Sequence, residues 1–304
     1  MSISASNSYL SAHDYKRATT GQEIASILGN LLRIGPGAVV QGATSLPVTP
    51  NTTIALNAYD PVTIFDGSNT EVVQVGSAGA SIGSSAIPLM VGAQFGHAAG
   101  TSCCSDGTQG SLAEAILEGS AEVERICRQP LLLATYTDLL PLLSMRAAVD
   151  NGSRLLLRPR QSPVASVSAI TIYFTPTSTL NLNTSQATID STGKTIDISA
   201  LDTVQSGNNN ALYFLNYLDN TTPGDVGVTY TAGFAYSALP LYIRRAAVLL
   251  VSDILSMRIN PIGAAELKQG QVMYTTYLRG DLSGESANIK QARKLLQPVT
   301  QEAW

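Results

Sequence analysis

Apolar positions along this chain change period three times, and each change marks a different kind of element. Between Tyr9 and Leu32 the apolar residues Ile24, Ile27, Leu28, Leu31 and Leu32 follow a helical spacing, and Ser11 is placed to cap a first turn. Gly35-Pro36-Gly37 ends that pattern. From 38 to 107 the period falls to two. Short apolar runs at Val39-Val40, Ile54–Leu56, Val62–Ile64, Glu71–Val75 and Ile87–Met90 are punctuated by Pro, Asn and Gly, with a strong turn signal at Asp66-Gly67. This predicts an antiparallel β-module of about 70 residues, a small sandwich or barrel.

The helical period returns at Ser111. Ser111-Leu-Ala-Glu114 reads as a capping box, Leu112, Ile116, Val123, Ile126 and Cys127 share one face, and Pro130 stops the helix. The opposite face carries Glu114, Glu118, Glu122, Arg125 and Arg128. A second β-rich excursion follows, with strand candidates at 135–140, 154–157, 164–173, 187–189, 196–198, 211–218 and 226–230, and loops at 178–183 and 206–210. Pro240 then opens a helix whose buried face is Ile243, Ala246, Ala247, Leu250, Ile254 and Met257, ended by Asn260-Pro261. The stretch 263–284 is ambiguous, 287–296 reads as a short helix, and a loose tail runs to Trp304.

These elements predict an α+β fold. Its helical core is built from helices near 9–32, 111–129 and 240–259, with an inserted antiparallel β-module and a second β-rich excursion. The expected domains are a helical segment at 1–37, the inserted module at 38–107, a core at 108–262 and an extension at 263–304.

Composition sharpens the functional reading. Of 304 residues, 44% are hydrophobic and only 13% are charged, so Ser, Thr, Asn and Gly do most of the solubilising. Such a surface suits a protein whose faces are covered by neighbours. The net charge of −4 hides an asymmetry: no Lys or Arg lies between Ile34 and Glu124, whereas Asp60, Asp66, Glu71, Asp106, Glu114, Glu118, Glu122 and Glu124 do. That half lacks the clustered cations that tight nucleic-acid binding requires. A neutral-to-acidic wall would let DNA pass without sticking. No apolar run reaches 18 residues, and the Ser-rich start at Met1–Leu10 has no basic or apolar segment of a signal peptide.

Candidate chemistry is thin. His13 and His97 are the two histidines, and His97 sits in a Gly/Ala-rich stretch that reads as a loop. Cys103, Cys104 and Cys127 do not form a disulfide framework, and Cys103-Cys104 beside His97 has the wrong spacing for structural zinc. Reduced thiols, no metal and no cofactor are expected. Gly76 to Ser85 lacks the following Lys of a phosphate-binding loop. Asp197, Asp202, Asp219 and Asp225 are turn-type residues, and nothing singles out a catalytic pair.

The remaining charged positions read as contact surfaces. Arg154, Arg158 and Arg160 form a basic cluster at a strand edge, either a solvated strand end, a phosphate contact or a partner for Glu114 and Glu118 of a neighbouring copy. Arg244 and Arg245 lie early on their helix, as intersubunit or surface contacts. The C-terminal segment, with Lys290, Arg293 and Lys294, apolar Leu295 and Leu296, and a final Trp304, reads as a short amphipathic docking helix with an aromatic anchor.

Two motifs carry a family resemblance: Leu155-Leu-Leu-Arg-Pro-Arg-Gln-Ser-Pro-Val-Ala-Ser-Val167, and Tyr230-Thr-Ala-Gly-Phe234 followed by the Pro240 helix. With the order helix, strands, long excursion, strand and helix over about residues 109–260, the chain resembles the head–tail connector, or adaptor, proteins of tailed bacteriophages. The resemblance implies a ring, commonly of twelve copies, under the portal of the filled head in the virion neck. Such a ring is assembled in the host cytoplasm, extends the DNA channel and presents a platform to tail or stopper proteins. It also implies that the C-terminal segment reaches the portal protein, that DNA passes without sequence-specific binding, and that the protein is neither an enzyme nor a membrane protein. The β-module at 38–107 has no counterpart in a minimal connector. A host- or carbohydrate-binding virion β-protein is the alternative reading, and a hydrolase with scattered acids a third.

Overall fold

The computed structural model describes residues 3–19, 28–106, 112–142, 144, 146–150, 154–175, 178–199, 224–259, 266–269, 272–275 and 286–300. It is mostly β-sheet, with four α-helices among the described residues. This overturns the expected helical core carrying an inserted β-module. The chain divides into two compact units, Met1–Arg128 with Tyr236–Thr300, and Gln129–Ala235.

The first unit is built on a seven-stranded antiparallel sheet. Its strands are β1 (Ile3–Ser6), β2 (Leu28–Ile34), β3 (Ser45–Thr49), β4 (Pro61–Phe65), β5 (Thr70–Gln74), β6 (Ala86–Pro88) and β7 (Ser102–Asp106), in the order β1-β5-β4-β7-β2-β3-β6. Strands from outside 38–107 complete this sheet, so it is not a self-contained insertion. Leu28 to Leu32, expected to close a helix, instead lies in strand β2, which is paired with β7 and β3. Leu32 and Ile34 are buried and Arg33 is exposed between them, so the run also satisfies a period of two. A short apolar run fits both periods, and tertiary pairing decides. Leu32, Ile34, Leu46, Val48, Val62, Ile64, Val73 and Ile87 pack into one apolar cluster. Asp66-Gly67 does turn the chain between β4 and β5, through a short 3-10 turn at Gly67–Asn69.

The helices of this unit are α1 (Ala12–Ala18), α2 (Leu112–Cys127), α3 (Leu241–Ile259) and α4 (Ala287–Leu296). Ser11 caps α1 as expected, in a capping box with Asp14. The capping residue read for α2, Ser111, lies outside the described residues. Helix α3 packs against both α2 and α4. Gly119 lets α2 and α3 approach: a Cβ there would come within 2.7 Å of Val251 Cγ2. The expected α3 face is buried at Ile243, Ala246, Ala247 and Leu250, and Ile254 is half-buried. Residues 266–269 and 272–275, ambiguous in sequence, form a two-stranded hairpin, β16 and β17.

The second unit holds two four-stranded antiparallel sheets. One has the order β12 (Ser178–Leu182), β11 (Val164–Thr175), β15 (Asp225–Ala232), β8 (Ala134–Pro141); the other β13 (Ala187–Ile189), β14 (Ile196–Ser199), β10 (Arg154–Leu157), β9 (Ala147–Asp150). Ser178–Leu182, read as loop, is a strand paired with β11. Its Ser, Thr and Asn content hides the pattern, since the outward side of an antiparallel strand tolerates polar residues. Strand β15 alternates strictly between half-buried and buried positions. Both sheets feed one core, in which Leu140, Leu155, Leu157, Ile170, Ile172, Ile196, Ile198, Val226, Val228 and Tyr230 meet. The strand expected at 211–218 and the loop at 206–210 lie outside the described residues.

Candidate functional site

In each unit a buried polar network gathers around carboxylates, and these two networks are the most distinctive chemistry among the described residues. In the first unit, His97 is not a solvated loop residue. Its imidazole is fully buried, with Nδ1 2.9 Å from Asp66 Oδ2 and Nε2 2.7 Å from Glu71 Oε1, and the Glu71 side chain is only 2% exposed. Glu71 also accepts the backbone N–H groups of Gln94 (2.8 Å) and Phe95 (3.3 Å). The backbones of His97 and Val39 exchange two hydrogen bonds. Burial alone would lower the pKa of His97. Hydrogen bonds and charge from Asp66 and Glu71 outweigh that and raise it to about 9. Burial would raise that of Glu71, but His97 and the two amides pull it below the ordinary carboxylate range. The group is therefore an imidazolium clamped between two carboxylates. With both ring nitrogens donating, it has no lone pair to act as a general base near neutral pH.

A signal for this cluster exists in the sequence. Glu71 shares a strand face with Val73 and Val75, all three buried. A carboxylate on an apolar face needs a buried partner. In a stretch devoid of Lys and Arg, His97 is the local residue able to supply a positive charge.

In the second unit, the network pins three consecutive backbone amides. Asp138 Oδ2 accepts from Arg160 N (2.6 Å) and from the Tyr230 hydroxyl (2.8 Å), and that hydroxyl accepts from Gln161 N (2.9 Å). Gln129 Oε1 accepts from Ser162 N at 3.0 Å. Burial, then the Asp138 bond and charge, push the Tyr230 pKa well up, so the phenol stays neutral. The two family-like motifs meet here. Arg160-Gln161-Ser162 belongs to the first, and Tyr230 opens the second. Gly233, in the second, has φ +101° and a Cβ position 2.6 Å from Leu132 O, so a side chain is disfavoured there twice over.

The candidate contact residues scatter. Arg154 forms an exposed ion pair with Asp197, one of the turn-type carboxylates. Arg158 and Arg160 are exposed in the same unit, and Asp225 is half-buried at the start of β15. Glu114 and Glu118 are exposed on α2, and Arg245 is exposed on α3. Arg244 is half-buried and engaged within its unit: its guanidinium lies 5.7 Å from the Tyr236 ring centroid and donates to Tyr236 O at 2.9 Å. On α4, Arg293 and Lys294 are exposed, Lys290 and Leu295 are half-buried, and Leu296 is buried with Ala292. Trp304, Asp202 and Asp219 lie outside the described residues.

Cys103, Cys104 and Cys127 are buried free thiols, and burial pushes Cys103 and Cys127 up to about 12. Among the described residues, no three His, Cys, Asp or Glu side chains gather to hold a metal, and no helix is long and apolar enough to cross a membrane.

Solved structures similar to this chain include the neck of an empty gene transfer agent particle computed with C6 symmetry, and the virion of a native gene transfer agent particle. Their identities are 19% and 15%; each match covers 64% of this chain and 78% of the other, with a TM-score of 0.34. Similarity at that level does not establish a shared fold. No protein-family model matches the chain, and no curated protein does.

Proposed function

We propose that this chain is a structural head–tail adaptor of a tailed-phage-like particle. In this reading it forms a ring under the portal, extends the DNA channel and gives tail or stopper proteins a platform. The observation that carries an assembly role is apolar exposure on the seven-stranded unit. Val40, Ile82 and Val91 are 70%, 69% and 63% exposed, and Met90 and Ile54 are also exposed, all in connections between strands. Hydrogen bonds between Gly42 and Ala93 and between Ala93 and Ala43 bring the Val40 connection alongside that of Met90 and Val91. Clustered exposed apolar side chains on a surface so poor in charge favour coverage by a neighbour.

The adaptor identity rests on the resemblance of the two motifs. The residues that carry it are tied to one backbone network through Asp138, Tyr230 and Gln129. A ring closes when identical head-to-tail contacts divide the circle. Copies meeting through polar strands and exposed apolar loops are compatible with that.

Docking to the portal through the C-terminus is part of the proposal, and the fold dictates how to test it. Removing everything after Leu282 would strip Ala292, Leu296 and Val299 from the core of the first unit. Deleting only 301–304 preserves α4. The adaptor reading expects this trimmed chain to fold and form rings but to lose attachment to portals in a co-sedimentation assay. Undiminished attachment overturns the docking role. Saturable glycan binding by the isolated chain, with no association with portals or tails, would favour the receptor-binding alternative.

A further inference from the structure

The first 124 residues contain three Lys or Arg side chains, Lys16, Arg17 and Arg33, and all three line one cavity. It has a volume of about 250 Å³ and lies between α1 and β2, with His13 and Asp14 completing the lining. In a region with no other Lys or Arg, convergence of these three side chains on one concavity calls for a ligand. We propose that this cavity is an oxyanion site that takes a single phosphate group. The proposal does not depend on the adaptor reading.

The geometry fits that chemistry. Arg33 Nη1 donates to Gly100 O at 2.9 Å, which holds the guanidinium in place while its other N–H groups remain. Lys16 and Arg17 are exposed on the last turn of α1 and have no carboxylate ion pair among the described residues. Asp14 is occupied with Ser11, whose hydroxyl lies 2.7 Å from Asp14 Oδ2. Three cations against one carboxylate leave a surplus of two positive charges, which a phosphate of about −1.5 to −2 neutralises and a single carboxylate does not. The cavity exceeds a bare phosphate, leaving room for hydration or an ester group. A track of DNA phosphates would need an extended basic stripe, which this unit lacks.

His13 supplies an internal reporter. Its Nδ1 is 2.8 Å from Ser102 Oγ on β7. Burial first, then the charge of Arg33, with Lys16 adding and Asp14 opposing, lowers its pKa to about 4. These are the groups facing it: Asp14, Lys16 and Arg17 on its own helix, Arg33 on β2 and Ser102 on β7. Burial still disfavours the imidazolium when phosphate is bound, but the anion offsets the Arg33 and Lys16 charges that lower the pKa further, so the pKa of His13 rises.

The test is an NMR titration of the histidine ring resonances of the full chain, with inorganic phosphate replacing chloride at constant ionic strength. We expect a saturable shift at His13, a raised His13 pKa at saturation and no change at His97. Arg33→Gln and Lys16→Gln, both at exposed positions, should each weaken the phosphate midpoint about tenfold. A second arm adds a short DNA duplex to the phosphate-saturated chain: displacement assigns the group to a phosphodiester, and no displacement assigns it to free phosphate. The proposal falls if phosphate moves His13 no more than chloride does, or if both substitutions leave the midpoint unchanged.

Discussion

The two units solve the same problem with different chemistry. Each must fasten an irregular segment to a sheet through buried polar groups. The first does so with charge, clamping His97 between Asp66 and Glu71 and tying the 94–97 segment to β5. The second uses neutral donors around one carboxylate, with Asp138, Tyr230 and Gln129 receiving the amides of 160–162. The contrast follows from what must be held. A segment whose backbone pairs with the connection at 39–43 rather than with a strand, as in the Val39–His97 bridge, gains from a strong central ion cluster. A segment leading straight into β11 needs only its unpaired amides satisfied. Buried ions also make a unit sensitive to pH, whereas a phenol and a carboxamide do not titrate near neutrality.

The largest expected effect comes from breaking the ionic clamp. His97→Ala leaves Glu71 buried without its counter-charge, and should cost about 3–5 kcal/mol by denaturant unfolding. Pairing it with Glu71→Gln should recover part of that loss. A pH series sharpens the comparison without mutation. His97 is raised from 6.5 to about 9 on folding, so its contribution is fully present below pH 6.5 and disappears as pH rises through 9. Glu71 is lowered, so its contribution is present above its ordinary range and disappears as pH falls. Mapping proteolytic cleavage at pH 7 and pH 9.5 should show opening near 92–98 at the higher pH while β8 and β15 stay protected. Tyr230→Phe should cost less, about 1–3 kcal/mol, by leaving Gln161 N–H without its acceptor and removing one donor to Asp138. The smallest effect belongs to Arg154→Ala. Its ion pair with Asp197 is exposed at the arginine, and its loss should change stability by under about 1 kcal/mol.

Much of the second unit is legible in sequence, because strands such as 225–232 and 154–157 alternate over a shared core. Helix α3 is legible too, through Pro240 and the spacing of Ile243, Ala246, Ala247 and Leu250. The fold class is not. Leu28 to Ile34 satisfies helical and strand spacing alike, and its pairing with β3 and with β7, some 70 residues away, selects the strand. That switch adds Leu28–Ile34 to a sheet whose strands at 45–106 fall within the predicted β-module, while the expected helices at 112–127 and 241–259 still pack together. The candidate contact residues can be placed on elements but not on a common surface. Arg244 serves Tyr236 and Leu296 fills the core, both long-range outcomes that spacing does not encode. For the His97 cluster the readable clue is Glu71: an acid among inward-facing valines demands a buried counter-charge on pattern alone.

Imaging purified particles that carry this chain with an epitope tag is the decisive check on the adaptor role. Tag density arranged as a closed ring between head and tail is the expected result. Particles with no tag at the neck, together with a chain that stays monomeric in the soluble fraction, would contradict it.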